Sequence, residues 1–549
     1  MTAPPPADLV ITGAAIHGVG AAGTRDRALA VRGERIVAVG TPGEVRRQVG
    51  SARQVLHRPG SLLLPGFVDA HVHPPLAGRN LLTIDLDPLT SRADYLHAVA
   101  AHADANPGAR WITGGGWAME HFPGGLPTRA DLDAVVADRP VFLYNRDVHG
   151  AWVNSVTLRI AGIDRWTPDP ADGRIERDQL TGEPTGMLHE GAAYAVHDRY
   201  VPQPDLAGWQ AAILAAQDHL HTLGVTSWQD AWVTPATEAA YAGLAADGRL
   251  TANVVGALWW ERSQGLEQIP ALAARREQTT SAGGRRFRPT TVKIMTDGVL
   301  ENRTGALLEP YCDGCGGPGD SSGLTFVDPA ELAAAVTDLD SRGFQVHLHA
   351  IGDRAVRQGL DAFTTARQAN GPNGNRHHIA HLQLVHPQDL PRFAALEVVA
   401  NCQTYWAQSE PQMDELTVPF LGPERAAWQY PFGDLLASGA RLAMGSDWPV
   451  TTANPLEQIE VAVTRVDPQN RENAPFLPHQ RLTIDEAVTA FTAGSAYVNH
   501  DDHDTGTIEV GKRADLVVLD RDIFAADTGP IAEATVLVTV ASGQIVHAR

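Results

Sequence analysis

Eight short apolar runs recur along the middle of the chain, with helical patterns between them, and no other feature of the sequence constrains the fold as strongly. They cover residues 67–73, 224–230, 251–259, 290–296, 343–350, 378–384, 398–403 and 441–447. Strands that alternate with helices build a parallel sheet, and eight such units close into a barrel. The sequence therefore predicts an α/β fold, a (β/α)8 TIM barrel, over residues 65–504.

Two additions to this barrel are predicted from the spacing of the runs and from the two ends of the chain. The first two runs are separated by residues 74–223, whereas a normal connection before a helix has roughly 2–6 residues. An inserted subdomain is therefore expected after the first barrel strand, at about residues 80–205. Short β-like runs punctuated by Gly and Pro occupy both ends, so residues 1–64 and 505–549 are expected to form one small composite β-sandwich.

Charge and cysteine usage limit the partners and the compartment. The chain has 64 acidic and 43 basic side chains, a formal net charge of -21, which repels phosphate backbones and anionic lipid surfaces. Neither nucleic acid nor a membrane is therefore expected as a partner. The stretch from Met1 to Asp8 has no basic start and no apolar core, and a chain with only 3 cysteines suits a reducing compartment. We expect a cytoplasmic protein.

Two histidines, His71 and His73, close the first apolar run. Residues i and i+2 of a strand point to the same face, so both imidazoles can reach a single ion inside the barrel. Two histidines in this position can also be no more than a polar strand end. The metal interpretation depends on the other polar residues at the same end of the barrel.

Lys293 lies inside the fourth apolar run, where its side chain would be buried. A buried ammonium without a partner costs several kcal/mol. The lysine is therefore expected either to pair with a carboxylate such as Asp297, or to have a lowered pKa. In the second case its neutral amine can take up carbon dioxide as a carbamate, an anionic ligand that bridges two metal ions. This run alone does not decide between the two.

Three further candidates end later runs: His349 in the fifth, His381 in the sixth and Asp447 in the eighth. His347, two residues before His349, is expected deeper in the barrel as a core or supporting histidine. Asp447 taken alone could cap the segment that follows it. Barrel enzymes place their active sites at the C-terminal ends of the strands, so all these groups are expected to converge on one metal site with an adjacent base.

Six ordered motifs give the chain a close resemblance to the amidohydrolase superfamily, within it to the subgroup typified by N-substituted formamide deformylase. They are GFVDAHVH (66–73), VKIMTDG (292–298), HAIGDRAV (349–356), IAHLQLVH (379–386), GSDWPV (445–450) and GKRAD (511–515). The motifs extend over most of the chain. They are specific for the fold and the metal chemistry, and much less specific for the substrate.

The resemblance implies a role for each candidate ligand. His71 and His73 would hold the more buried metal ion, Lys293 would be the carboxylated bridge, His349 and His381 would hold a second ion, and Asp447 would be both ligand and general base. The cofactor would be divalent, with zinc foremost, as one or two ions. Members of this superfamily differ in metal number and in carboxylation of the lysine, so a single zinc ion also fits.

The resemblance and the site together imply a metal-dependent hydrolase that cleaves a non-peptide carbon–nitrogen (amide) bond of a small molecule. A metal ion lowers the pKa of bound water to about 7, and Asp447 would take the proton from the attacking hydroxide and pass it to the departing nitrogen. Deacylation of an N-acyl amino acid and hydrolysis of a cyclic amide fit the same site. A non-catalytic barrel scaffold is the alternative from another class, but it has no need for six metal-site groups that are costly to bury.

Aromatic residues cluster at the predicted rim and favour a substrate with a hydrophobic or aromatic group. The candidates for substrate binding are Trp117, His149, Trp228, Arg303, Trp406 and Trp448. Several of them could instead pack loops against the barrel, and His149 could serve only to stabilise the insertion. Large barrels of this kind often pair, so a homodimer is one expectation for the assembly.

Overall fold

The eight apolar runs form eight parallel strands of one barrel sheet in the computed structural model, which describes residues 5–17, 27–281, 285–314, 317, 319–525 and 527–549. In chain order the barrel strands are Phe67–Val72, Val225–Val233, Asn253–Trp259, Phe287–Met295, Gln345–Ala350, His378–His381, Val399–Cys402 and Leu442–Met444. Nearly all their residues are buried, because both faces of a parallel barrel sheet are covered. The predicted fold class is confirmed.

The first and last barrel strands meet through the loops that follow them. The backbone N–H of Asp447 donates to the carbonyl of His71 at 2.7 Å, and that of His73 donates to the carbonyl of Trp448 at 2.9 Å. These two bonds nearly close the barrel. They also bring the end of the first strand next to the turn after the eighth.

Helices cover the outside of the barrel. They are Leu206–Thr222, Pro235–Ala246, Ile269–Ser281, Pro329–Ser341, Asp353–Asn370, Leu390–Leu396, Gly422–Ala426, Phe432–Ala437, Pro455–Thr464, Ile484–Thr489 and Ser495–Val498, with π-helical turns at Gln412–Thr417 and Ala490–Gly494. The longest buries Val356, Leu360 and Phe363, which recur at helical spacing on its inner face. In the described ranges, no helix has both the length and the apolar character needed to cross a membrane.

The insertion between the first and second barrel strands contains a six-stranded mixed sheet. In spatial order its strands are Gly173–Arg177, Pro184–Glu190, Gly150–Val153, Val141–Asn145, Ile112–Trp117 and Ile84–Asp85. Its helices are Pro74–Leu82, Arg92–Ala105, Arg129–Asp133, Ser155–Ala161 and Gly191–Tyr200. A separate apolar core that includes Tyr95, Phe122 and Leu143 holds one side of this sheet. The strands Val141–Asn145 and Pro184–Glu190 run toward the barrel mouth and carry residues to it.

Both ends of the chain contribute to a pair of sheets beside the barrel. One sheet has the order Arg35–Gly40, Ala28–Arg32, Ala7–Thr12, Ala52–His57, and the other has Ala15–Ile16, Leu62–Pro65, Leu516–Leu519, Val536–Ala541, Gln544–Ala548. The helix Pro42–Val49 packs on the first sheet. Leu9, Ile11 and Val31 of the first sheet share one core with Val518 and Val538 of the second. Each sheet alone has too little apolar surface to be stable, so the sandwich depends on both ends.

Candidate active site

His71 lies at the centre of the barrel mouth and is 1% exposed. Its Nδ1 is 2.9 Å from Nε2 of His347, whose own Nδ1 is 2.8 Å from the side-chain oxygen of Gln229. This chain of hydrogen bonds orients the His71 ring and engages its Nδ1. The Nε2 atom is left to face the cavity, as the ring of a metal-binding histidine requires.

Asp447 is 5% exposed and lies opposite the two histidines of the first strand. One of its carboxylate oxygens, Oδ1, is 3.0 Å from Nε2 of His73 and 3.1 Å from Nε2 of His71. Gly445 allows this approach, because a Cβ at that position would come within 2.4 Å of the backbone nitrogen of His71. Burial alone raises the pKa of Asp447, but the hydrogen bond with His73 and the electrostatic influence of His381 and Lys293 outweigh it and hold this pKa below its usual value.

His381 and His349 come from neighbouring barrel strands and complete the ring of imidazoles. The ring centroids of His381 and His71 are 4.7 Å apart, and those of His381 and His349 are 4.4 Å apart. His381 Nδ1 is 3.8 Å from Oδ2 of Asp447, and its Nε2 is buried without a hydrogen-bond partner among the described residues. His349 Nε2 is 3.2 Å from the carbonyl oxygen of Gly298.

Lys293 is 2% exposed at the inner face of the fourth barrel strand. Its Nζ is 3.5 Å from Nε2 of His347, and no carboxylate in the described part of the chain forms an ion pair with it. Asp297, the alternative partner named from sequence, accepts hydrogen bonds from the backbone N–H groups of Ile351 and Gly352 instead. Burial lowers the pKa of Lys293 to about 7, so a large fraction of its amine is neutral at neutral pH.

The donor set fits a divalent metal ion. Ligand atoms of His71, His381 and Asp447 all lie within 4.8 Å of one another. Burial lowers the pKa of both histidines well below its usual value, so their rings are neutral and can offer lone pairs. Nitrogen and carboxylate donors suit zinc.

Sequence reasoning missed the role of Asp69 in this site. Its buried Oδ1 accepts the backbone N–H groups of His71 and Ser446, each at 3.0 Å. The carboxylate therefore ties the first strand to the turn that carries Asp447. Burial raises its pKa to about 7. The signal was in the period of the strand, because Asp69, His71 and His73 are spaced by two residues and share one face.

The insertion supplies one wall of the site through His149. Its Nδ1 is 3.0 Å from both carboxylate oxygens of Glu190, a fully buried residue that also accepts a hydrogen bond from Thr304. Burial alone lowers the pKa of His149, but Glu190 and Asp147 raise it to about 9. The ring centroid of His149 is 5.2 Å from that of His349, so the predicted position of His149 over the pocket agrees with the structure.

Two adjoining cavities share Asp447 in their linings and hold about 470 Å³ and about 420 Å³ of empty space, part of it open to solvent. All six predicted metal-site residues line one or both of them. Of the predicted substrate-binding residues, His149 lines both cavities and Trp406 lines the second. Two residues not predicted for substrate binding, Tyr194 and Trp232, line the first.

The structure does not bring Trp117 and Trp228 to either cavity. Trp117 is fully buried in the core of the insertion, where its indole N–H donates to the carbonyl of Leu143 at 3.0 Å. Trp228 is also fully buried. The next residue, Gln229, points into the barrel and bonds His347, so Trp228 points outward to the helices. Both side chains therefore pack the fold and do not line the pocket.

Trp448 and Arg303 are also displaced from the cavities. The Trp448 ring stacks on His219 of a covering helix, with centroids 4.8 Å apart and planes at 27°. Arg303 is exposed, and its guanidinium carbon lies 4.8 Å from the ring centroid of Phe420. Neither side chain is among the residues that line the two cavities, so the structure does not bring these two predicted residues to the candidate site.

Comparison with known proteins gives consistent matches. The family model described as "Amidohydrolase family" matches residues 59–547. Protein LONG AFTER FAR-RED 3 of Arabidopsis thaliana is 30% identical over 98% of this chain and 91% of its own length. N-substituted formamide deformylase of Arthrobacter pascens is 28% identical over 99% of this chain and 98% of its own. The crystal structure of an uncharacterized metal-dependent hydrolase from Pyrococcus furiosus superposes with a TM-score of 0.70 at 28% identity, covering 94% of this chain and 99% of that one.

Proposed function

The chain belongs to the amidohydrolase family, whose members include hydrolases of carbon–nitrogen bonds other than peptide bonds, and we propose that it hydrolyses an amide bond of a small molecule that carries a hydrophobic or aromatic group. One or two divalent ions, zinc foremost, would assist, with Asp447 as the general base. The observation that carries this proposal is the convergence of His71, His381 and Asp447, with ligand atoms within 4.8 Å of one another.

The proposed ligands are the six residues that meet at the barrel mouth. They are His71, His73, Lys293, His349, His381 and Asp447. When bound, one or two divalent ions would lower the pKa of a water molecule to about 7 and polarise the scissile carbonyl. The chain itself orients the ligands, above all through the hydrogen bonds of Asp69 and His347 to the first strand and its histidine.

We propose that Lys293 is carboxylated. Its neutral amine would add to carbon dioxide, forming an N–C bond and releasing one proton, and the product is a carbamate anion. Two observations support this: burial lowers the pKa of the amine to about 7, and the carboxylate of Asp297 is held by backbone N–H groups and not by the lysine. The carbamate would give a second oxygen ligand in a site otherwise dominated by imidazoles.

Asp447 is suited to move the proton. Its lowered pKa keeps the carboxylate ionised at neutral pH, and it lies where the two cavities meet. The carboxylate can therefore accept a proton from the attacking water and deliver it to the amide nitrogen as the C–N bond breaks. This delivery of a proton to nitrogen is needed because an amine leaves readily only after it is protonated.

Metal content and hydrolysis test the proposal together. The purified protein is analysed for bound metal and incubated with formamides, N-acyl amino acids and lactams, and the released amine or acid is quantified. We expect bound divalent metal and release of amine from an aromatic amide, lost on chelation and restored by zinc. A natively folded chain that binds no divalent ion, or hydrolysis that persists after complete removal of metal, would overturn it.

We propose the cytoplasm as the place of this activity and a homodimer as the assembly. The sparse cysteines support the compartment, and Cys312 and Cys402 are free thiols. Fractionation of the source cells tests the first part. Sedimentation of the purified protein tests the second, and a monomer at micromolar concentration would contradict it.

A further inference from the structure

The cavity above Asp447 has two lobes of different character. The first, called here the aromatic lobe, is lined by Leu76, Tyr194, Trp232, Trp259 and Met295. The second, called the polar lobe, is lined by Glu301, Gln383, Gln403, Trp406, Gln412 and Tyr430. Asp447, His149 and His381 line both lobes. A substrate whose reacting bond lies at Asp447 can therefore extend one substituent into each lobe.

The aromatic lobe is shaped for a flat apolar group. The rings of Trp232 and Trp259 have centroids 5.2 Å apart and planes at 36°, and Tyr194 meets Trp232 edge to face with centroids 6.3 Å apart. Aromatic rings in such an arrangement present apolar faces and edges to a bound ring. This lobe accounts for the hydrophobic or aromatic group of the proposed substrate.

The polar lobe contains a carboxylate that lacks a cationic partner. Glu301 is held by the side chain of Gln412, but within the described part of the chain it forms no ion pair. Two cations lie in this region. The protonated His149 is paired with Glu190, 3.0 Å from its Nδ1, and Arg146 is also engaged. Its guanidinium donates to Gln412 at 2.9 Å and pairs with Glu120 at 3.2 Å and Glu410 at 3.8 Å. Its charge is therefore compensated without Glu301.

We propose that the substrate carries an ammonium group on the opposite side of its scissile amide from the aromatic group, and that Glu301 binds this ammonium in the polar lobe. This inference rests on the proposed amide hydrolysis and names its substrate class. Glu301 is only partly exposed, so its carboxylate loses part of its hydration without gaining a cationic partner, and a bound ammonium would supply that partner. Burial and the nearby Asp147 raise the pKa of Glu301 by more than Gln412 and His149 lower it, which agrees with a carboxylate that has no cation paired directly with it.

The same charges disfavour anionic substrates. Asp147, Glu301 and Asp447 line the polar lobe, and the charge of the protonated His149, which also lines it, is compensated by Glu190 at 3.0 Å. The formal net charge of -21 also attracts cations and repels anions over longer distances. An N-acyl amino acid would bring its carboxylate against these groups. We therefore expect N-acyl amino acids to be poorer substrates than amides that carry an aminoalkyl group.

Matched substrates test this charge preference. N-benzylglycinamide places an ammonium where N-benzylpropanamide has a methyl group, and N-(2-aminoethyl)benzamide and N-propylbenzamide form the corresponding pair with the amide reversed. N-benzoyl-β-alanine supplies the carboxylate. We expect kcat/KM for the ammonium member of at least one pair to exceed that of its neutral partner by about 10- to 100-fold, and the carboxylate to be the poorest substrate.

Two variants assign the preference to one residue. Glu301→Gln removes the charge but keeps the size, and it should bring the ratio of kcat/KM for ammonium over neutral substrate close to one. Glu415→Gln makes the same chemical change at an exposed position of the adjoining π-helical turn, outside the cavity. It should leave the ratio as in the wild type. Equal ratios in the wild type and Glu301→Gln would overturn the proposal.

Binding without hydrolysis separates this inference from the proposed function. Calorimetry with 4-phenylbutylamine, 4-phenylbutanol and 5-phenylpentanoate compares the three charge states on one non-hydrolysable frame. If no amide is cleaved, but the amine binds more tightly than the alcohol and the carboxylate and this difference disappears in Glu301→Gln, the proposed reaction is wrong and the ammonium site in the polar lobe is supported. If amides are cleaved but the alcohol binds as well as the amine, or if none of the three binds, the assignment of the polar lobe is overturned.

Discussion

Replacement of Asp447 with asparagine is expected to remove hydrolysis and to leave the fold in place. The asparagine oxygen can occupy the position of Oδ1, which lies 3.0 Å from His73 Nε2 and 3.1 Å from His71 Nε2. The backbone bond to the carbonyl of His71 at 2.7 Å does not depend on the side chain. The amide group, however, cannot accept a proton. Loss of a positioned general base costs about 10²–10⁴-fold in rate, or about 2.7–5.4 kcal/mol of transition-state stabilisation.

The comparison with His71→Ala makes this prediction specific. His71 is fixed by His347 at 2.9 Å, so its removal should lower the affinity for metal first, by about 10- to 100-fold or more, with turnover following. Asp447→Asn should instead keep much of the metal and lose turnover. Asp247→Asn, at an exposed position after a helix, is the matched control and should behave as the wild type.

The assay measures kcat with an accepted amide, metal bound per chain and thermal unfolding on each variant. Thermal unfolding shows whether a loss of rate reflects a loss of fold. Nearly full turnover of Asp447→Asn with a normal metal content would refute the assignment of Asp447 as the base. Equal losses of metal in both variants would show that Asp447 acts mainly as a ligand.

Two further predictions follow from the packing and the charges around the site. Gly445→Ala would place a Cβ 2.4 Å from the backbone nitrogen of His71, so it should destabilise the chain by about 1–3 kcal/mol and reduce bound metal. Gly108→Ala is the control, because a Cβ there would have no heavy atom within 4 Å, and it should change neither stability nor metal content. Chemical denaturation and metal analysis of both variants test this prediction. Burial alone raises the pKa of Glu176, but the hydrogen bond with His189 at 3.0 Å helps to lower it to about 2. Because the folded pKa lies below the unfolded value, this stabilisation of up to about 3 kcal/mol is present above about pH 4.5 and lost as the pH falls toward 2. Glu176→Gln should therefore lose less stability than the wild type between these pH values. Parallel curves of unfolding free energy against pH for the two proteins would contradict this.

The barrel and its metal-facing residues could be predicted because the repeat encodes both. A parallel barrel strand is buried on both faces, so it reads as a short apolar run, and a polar residue at its C-terminal end stands out. His71, His73 and Asp447 were found in this way, and the structure brings Nε2 of each histidine within 3.1 Å of Oδ1 of Asp447 across the closure of the barrel. The two-residue period of a strand and the position of its C-terminal end are together enough to predict these candidate ligands from the sequence.

The direction in which an aromatic residue points could not be predicted from the same runs. Both faces of a barrel strand are apolar, so the sequence around a tryptophan does not show whether its side chain points into the barrel or outward to the helices. Trp228 and Trp232 lie four residues apart and should share a face by simple alternation. The strand is irregular between Asp230 and Val233, and such an irregularity moves later side chains to the other face. Trp232 therefore lines the cavity, while Trp228 packs against the helices.

The substrate side of the site was the least predictable because much of it comes from the insertion, which obeys no repeat. His149 and Glu190 are 41 residues apart in sequence and meet because their strands pair antiparallel, with Gly150 opposite His189. Nothing in either local sequence sets that register. The proposed metal ligands thus lie in the periodic part of the chain, where sequence patterns are informative. The proposed substrate contacts lie in the insertion, near a strand irregularity and in loop residues such as Glu301. We therefore expect that substrate choice can change without disturbing the metal site, and the Glu301→Gln experiment examines that separation directly.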